Sequence, residues 1–311
     1  MMQFKANRGF TLVELMIALV LGLVLLGGVI GVFLSNQTTN RVNNELASLQ
    51  SSARLAFQLM SQDIRSAGFA GCNNSNRVVS VINGAPAWSQ WREDARGLEG
   101  FGVGTNGVSE SLRLMYGSGN TTSVLNHVPP LLTLNENTTL QTGDIAMLCD
   151  DTLAAIFQVA ATAPNVVSHA VAAPLNCSQD LGFQSPLVCA DSRPRVFPGG
   201  AMLMRFESAL WLVAASADNP AINSLYREII IGGNVVREEV LFGVSSLNFA
   251  YQDGSVPFVF GPVAFSPAVV MNNVVGVQVI LVMDPNAYTN ANLPLAMRTI
   301  QFFASVRNRL R

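Results

Sequence analysis

Glu14 is a carboxylate at the mouth of a long apolar run, where an ionised side chain costs a few kcal/mol unless it is paired. It closes the stretch Gly9-Phe-Thr-Leu-Val-Glu14, which comes after a short basic segment holding Lys5 and Arg8. Beyond it, the 20 residues from Leu15 to Leu34 carry no charge. That is enough to cross the roughly 30 Å hydrocarbon core of a bilayer as a helix. A secretory signal peptide fits poorly, because its apolar region is only about 7–15 residues and its small-residue cleavage site lies after that region. Here the small residue, Gly9, comes first. The chemistry that Glu14 calls for is pairing with a cation near a membrane surface.

Other reactive side chains are few. Four cysteines, Cys72, Cys149, Cys177 and Cys189, allow two disulfides in three pairings. Loop closure favours Cys177–Cys189 as a short local bridge, leaving Cys72–Cys149 to tie the end of a first helix to the later part of the chain. A zinc site is unsupported, since there is no Cys-x-x-Cys pair and both histidines, His127 and His169, lie apart from any cysteine cluster. Gly102-Val-Gly-Thr-Asn-Gly107 matches a dinucleotide fingerprint in spacing only, because the residues after it read as a strand where a phosphate site needs a helix start. Cys149-Asp150-Asp151 and Asp253-Gly254 lack the spaced oxygen ligands of a calcium loop. Nothing points to a Ser-His-Asp or Cys-His arrangement. Arg307, Arg309 and Arg311 read as a solvated end. No cofactor and no metal is expected, and the chain does not read as an enzyme.

Composition narrows the field further. Lys5 is the sole lysine, which excludes a P-loop lysine, a Schiff-base lysine and a lysine general base. With a net charge of −2 there is no global attraction to nucleic acid or anionic lipid. Lys5 and Arg8 precede the apolar run and the next charge is Arg41, so the positive-inside rule puts the N-terminus in the cytoplasm and the bulk outside. Four cysteines agree with an oxidising periplasm.

The elements that position these groups can be read from periodicity. No proline occurs before Pro86, and Leu46, Leu49, Ala53, Ala56, Met60 and Ala67 recur at three- and four-residue steps. Phe57 and Ile64 lie beside that stripe, and Glu45, Arg54, Asp63 and Arg65 occupy the faces between. The pattern predicts one helix from Phe10 to about Ala67, roughly 90 Å long. Gly27 and Gly31 form a Gly-x-x-x-Gly pair that lets helix backbones approach closely in a membrane. After residue 75 short β-rich runs take over: Val78–Ile82, Leu112–Tyr116, Asp144–Leu148, Ile156–Ala160, Met202–Phe206, Leu210–Ala214, Leu225–Ile231 and Val235–Phe242. Gly232-Gly233-Asn234 predicts a hairpin, Leu247, Phe249 and Tyr251 alternate, and Val274–Met283 and Met297–Val306 read as buried strands.

The Gly9 to Glu14 stretch resembles the class III signal of type IV pilins and type II secretion pseudopilins. The resemblance implies that prepilin peptidase cuts between Gly9 and Phe10 and N-methylates Phe10. Glu14 would then neutralise the new amine, within a subunit or on a neighbour, and set axial register during assembly. The fold class implied is α+β: a long N-terminal helix, half transmembrane and half amphipathic, packed on a β-rich globular head. The segments are a leader over 1–9, a transmembrane or filament-core helix over 10–34, its amphipathic continuation over 35–68 and a periplasmic head over 69–311.

Gln58-Leu-Met-Ser-Gln-Asp-Ile-Arg-Ser-Ala-Gly-Phe69, Gly71-Cys72-Asn73 and the terminal Val306-Arg-Asn-Arg look like PilW-type minor pilins. That resemblance implies a role in priming type IV pilus assembly at or near the tip. Its partners would be prepilin peptidase, other minor pilins, the major pilin, a tip adhesin and the inner membrane, without nucleic acid. Leu225-Tyr226-Arg227 is similar to a strand of J-type pseudopilins, the alternative within the class. A pilin-anchored periplasmic ligand-binding or enzymatic module is the alternative of another class.

Overall fold

A computed structural model describes residues 11–72, 77–171, 175–182, 193–254, 263–264, 271–287 and 295–309. Gly9, Phe10, Cys189 and Arg311 lie outside the described residues. Helix α1 runs from Leu12 to Ser66 without a break, as the absence of proline and the helical stripe require. The chain divides into two compact units, Met1–Ser51 and Ser52–Arg311. The first is helical over its described residues. The second holds the last turns of α1 and a β-rich head, so the architecture is α+β, in keeping with a pilin-like fold.

Among the described residues, fifteen strands make up the head. They are β1 (Val78–Ser80), β2 (Leu98–Phe101), β3 (Ser111–Val128), β4 (Leu131–Leu134), β5 (Ile145–Cys149), β6 (Ala154–Gln158), β7 (Ala161–Ala163) and β8 (Val166–Ser168). Then come β9 (Met202–Ala215), β10 (Asn223–Ile231), β11 (Asn234–Phe242), β12 (Val244–Asp253), β13 (Val263–Ala264), β14 (Val274–Met283) and β15 (Thr299–Ser305). A larger sheet has the order β1-β6-β5-β9-β3-β4-β8-β7, with β2 on β3 and the β10–β11 pair on β9. A smaller sheet has the order β13-β12-β14-β15.

Period-two alternation explains how the larger sheet is buried on both faces. On β5, Ala146 and Leu148 enter one apolar cluster with Phe157 and Leu203, whereas Ile145, Met147 and Cys149 enter the other with Ile156, Met204 and Phe206. The expected Gly232-Gly233 hairpin is present, with Ile231 paired to Asn234 and both glycines at positive φ (58° and 82°), as a two-residue type I′ loop demands.

Several expectations need correcting. Met202–Phe206 and Leu210–Ala214 are one strand, because Glu207 and Ser208 stay in the ladder opposite Tyr116 and Met115. Leu112–Tyr116 is the start of a strand that continues to Val128. Met297–Val306 begins with a short helix, α2 (Leu295–Arg298), before β15. Strands β2, β4, β7, β8 and β13 have no counterpart among the expected runs, being only two to four residues long.

Candidate assembly interface

Thr11 and Glu14 build the start of α1 reciprocally. The Glu14 amide donates to Thr11 Oγ1 at 3.3 Å, and Glu14 Oε2 accepts from the Thr11 amide and hydroxyl, both at 3.2 Å. This is a capping box, and it places an anion at the positive end of the helix dipole. It also aims the carboxylate at the amide next to Phe10, the residue whose amine would appear on cleavage after Gly9.

From Leu12 to Leu34 every large apolar side chain is 55–75% exposed. The helix is long and apolar enough to cross a membrane and is compatible with single-pass anchoring in the inner membrane. Each such side chain is worth about 1.5–3 kcal/mol once buried, so this half is built for lipid or for neighbouring helices. A Cβ added at Gly27 or Gly31 meets nothing within 4 Å, so neither glycine packs within the described chain.

The last turns of α1 behave differently. Ala53, Ala56, Met60, Ile64 and Ala67 are buried, and so is Asp63, at 1% exposure. Read by its charge, Asp63 is expected on the faces between the stripe. In the structure its Oδ2 accepts from Arg227 Nε at 2.8 Å and Trp211 Nε1 at 2.9 Å, while Oδ1 accepts from Arg227 Nη2 at 2.8 Å and Tyr116 Oη at 2.6 Å. Strands β3, β9 and β10 thus each send one residue to one helix carboxylate. Burial, reinforced by the Asp63 charge, pushes the Tyr116 hydroxyl pKa well above its ordinary value. The spacing Ala56, Met60, Asp63, Ala67 is the available signal, because it sets Asp63 within the apolar stripe.

Two further contacts fix the end of α1. Cys72 is disulfide-bonded to buried Cys149 on β5, across 77 residues. Cys177 is also disulfide-bonded, and its expected partner Cys189 lies outside the described residues. The C-terminal segment, expected to be solvated, supplies the second contact. Asn308 Nδ2 donates to the carbonyls of Ser66 and Ala67 at 3.2 Å each, adding to the Phe69 amide that Ser66 already accepts from at the helix end. The Arg309 guanidinium donates to the carbonyls of Ala95, Arg96, Met271 and Val274. Burial, with Arg96 nearby, lowers its pKa to about 10. Arg307 remains exposed.

Gly102 to Gly107 forms turns before β3, and a Cβ at Gly107 would meet the Val213 carbonyl at 2.4 Å. That glycine serves close packing against β9. Among the described residues no three His, Cys, Asp or Glu side chains cluster as a metal site.

Residues 4–30 match the prokaryotic N-terminal methylation motif. The match supports a prepilin-like protein. It supports a type IV pilin or pseudopilin-like prepilin, and the motif implies processing by prepilin peptidase and pilin-like assembly. No curated protein and no solved structure matches the chain.

Proposed function

We propose that this chain is a minor pilin of the PilW type that helps prime type IV pilus assembly and sits at or near the pilus tip. The observation that carries this reading is the methylation motif over residues 4–30, at the start of a helix whose apolar half finds no partner among the described residues. Prepilin peptidase removes residues 1–9 and methylates Phe10. The mature helix then holds the head on the periplasmic side of the inner membrane until extraction into the filament, where lipid contacts are exchanged for helix contacts. Glu14 sets axial register by pairing with an N-terminal amine. Gly27 and Gly31 admit a neighbouring helix at close range.

The partners are other minor pilins, the major pilin and a tip adhesin. A net charge of −2 with one lysine supports a reading without nucleic acid. The work is insertion, register and head contact, with no catalysis. A J-type pseudopilin of a type II secretion system is the second reading, supported by Leu225-Tyr226-Arg227, whose arginine holds Asp63.

Gold labelling of an epitope on the head tests the role. The expected result is label confined to filament ends and loss of most pili when the gene is deleted. Label spread along the filament shaft, or unchanged piliation on deletion, would contradict it.

A further inference from the structure

The chain has two histidines, and the fold brings both together in the head although 42 residues separate them. His127, on β3, is 3% exposed and His169, just after β8, is fully buried. Their Nε2 atoms lie 2.9 Å apart, and the Phe197 amide donates to His127 Nδ1 at 2.9 Å. The rings pack against Phe157 and Phe197, and Asn176 Nδ2 reaches the His169 carbonyl.

These contacts fix where the protons sit. Because His127 Nδ1 accepts from a backbone amide, the proton of neutral His127 is on Nε2 and is donated to His169 Nε2. Neutral His169 then carries its proton on Nδ1, which is buried without a hydrogen-bond partner. Every lone pair on the pair is occupied. An added proton must displace either the Phe197 amide from His127 or the His127 proton from His169. Neither ring can charge without losing a contact, and charging both sets two cations face to face.

We infer that His127 and His169 form an acid-sensitive latch, which holds the segment around Phe197 and the β3–β4 hairpin onto β8 and releases them when the pair protonates. What the latch covers is apolar. Phe197, against the His127 ring, and Leu132, opposite His127 on β4, are buried, and the neighbouring Val128, Leu131, Val171 and Val196 already stand in solvent. Opening would therefore enlarge an apolar surface at this end of the head.

The surrounding charges do not compete. Arg195 lies over the Phe197 ring at 5.2 Å and is paired with Asp150, and Asp180 and Arg193 on adjoining segments act on neither ring. Burial lowers both histidines from 6.5 to about 4, with the His127 charge adding to the effect on His169. A folded-state value below the unfolded one means that the folded form binds fewer protons. The latch is fully stabilising above pH 6.5 and is lost as pH falls toward 4.

The test uses the full chain in detergent micelles. Nitrogen-15 spectra of the two imidazoles report their tautomers, and hydrogen exchange reports protection of the amides at 124–134 and 195–201. The expected result is Nε2–H on His127, Nδ1–H on His169 and neither ring titrating at about pH 6.5. From about pH 7 to 4.5, protection of these amides should fall by roughly 1,000-fold or more after correction for intrinsic rates, since opening takes up two protons and each contributes about tenfold per unit below 6.5. In His169→Gln, whose amide oxygen can accept from His127 without titrating, only His127 still takes up a proton and that fall should shrink to about 50-fold or less. A histidine titrating near 6.5, amides that stay protected once the rings are charged, or an unchanged fall in His169→Gln would overturn the latch. The imidazole spectra need no variant, so a misfolded His169→Gln would not shelter the idea.

Discussion

Asp63→Ala is expected to destabilise the head by about 3–5 kcal/mol, because it leaves the Arg227 guanidinium in a site built for a pair. The Asp63 and Arg227 side chains are 2% and 19% exposed, and the two make a bidentate contact. Removing the carboxylate also strips acceptors from the Tyr116 hydroxyl and the Trp211 indole. For a unit of this size the shift in melting temperature would be on the order of 10 °C. Adding Arg227→Leu to Asp63→Ala should recover part of the loss, since the double variant buries no unpaired charge. Urea unfolding of the parent, both single variants and the double variant measures both effects. A single-variant loss below about 1 kcal/mol, or no recovery in the double variant, would show that the pair is not what fastens the end of α1.

The second large effect concerns the Cys72–Cys149 bond. It closes a loop of 77 residues and joins the chain just past α1 to the middle of the larger sheet. Closing a loop of that length stabilises by about 4 kcal/mol through the unfolded state. The double variant Cys72→Ala with Cys149→Ala should lose about that much. Substitution is the cleaner experiment, because a reductant also opens the bond at Cys177. The urea midpoint should fall. An unchanged midpoint would mean that Asn308 and the Asp63 pair already hold the helix end alone.

How much of this is legible in the sequence depends on whether the signal is local. Helix α1 is readable because proline is absent and the apolar stripe keeps one period over many turns. The Gly232-Gly233 hairpin is readable because two adjacent positive-φ residues have few other uses. Glu14 stands out because a carboxylate beside an apolar run is costly. Contacts between distant residues are hidden. Asp63 looks like a surface acid, since its partners Tyr116, Trp211 and Arg227 come from three strands far along the chain. His127 and His169 look isolated because only the pairing of β3, β4 and β8 brings them together. Arg309 reads as a solvated end because its acceptors are main-chain carbonyls, which carry no sequence signal.

In the proposed function, residues 1–9 are a leader whose removal releases Phe10 for methylation and the apolar helix for assembly. The most direct measurement is the mass of the amino-terminal peptide of the protein purified from membranes of its own cells, beside that of a Gly9→Val variant. The expected result is a wild-type peptide beginning at Phe10 with one added methyl group, and a variant that retains residues 1–9 and forms no surface pili. A wild-type peptide still carrying residues 1–9, or a Gly9→Val variant processed and piliated like the parent, would contradict it.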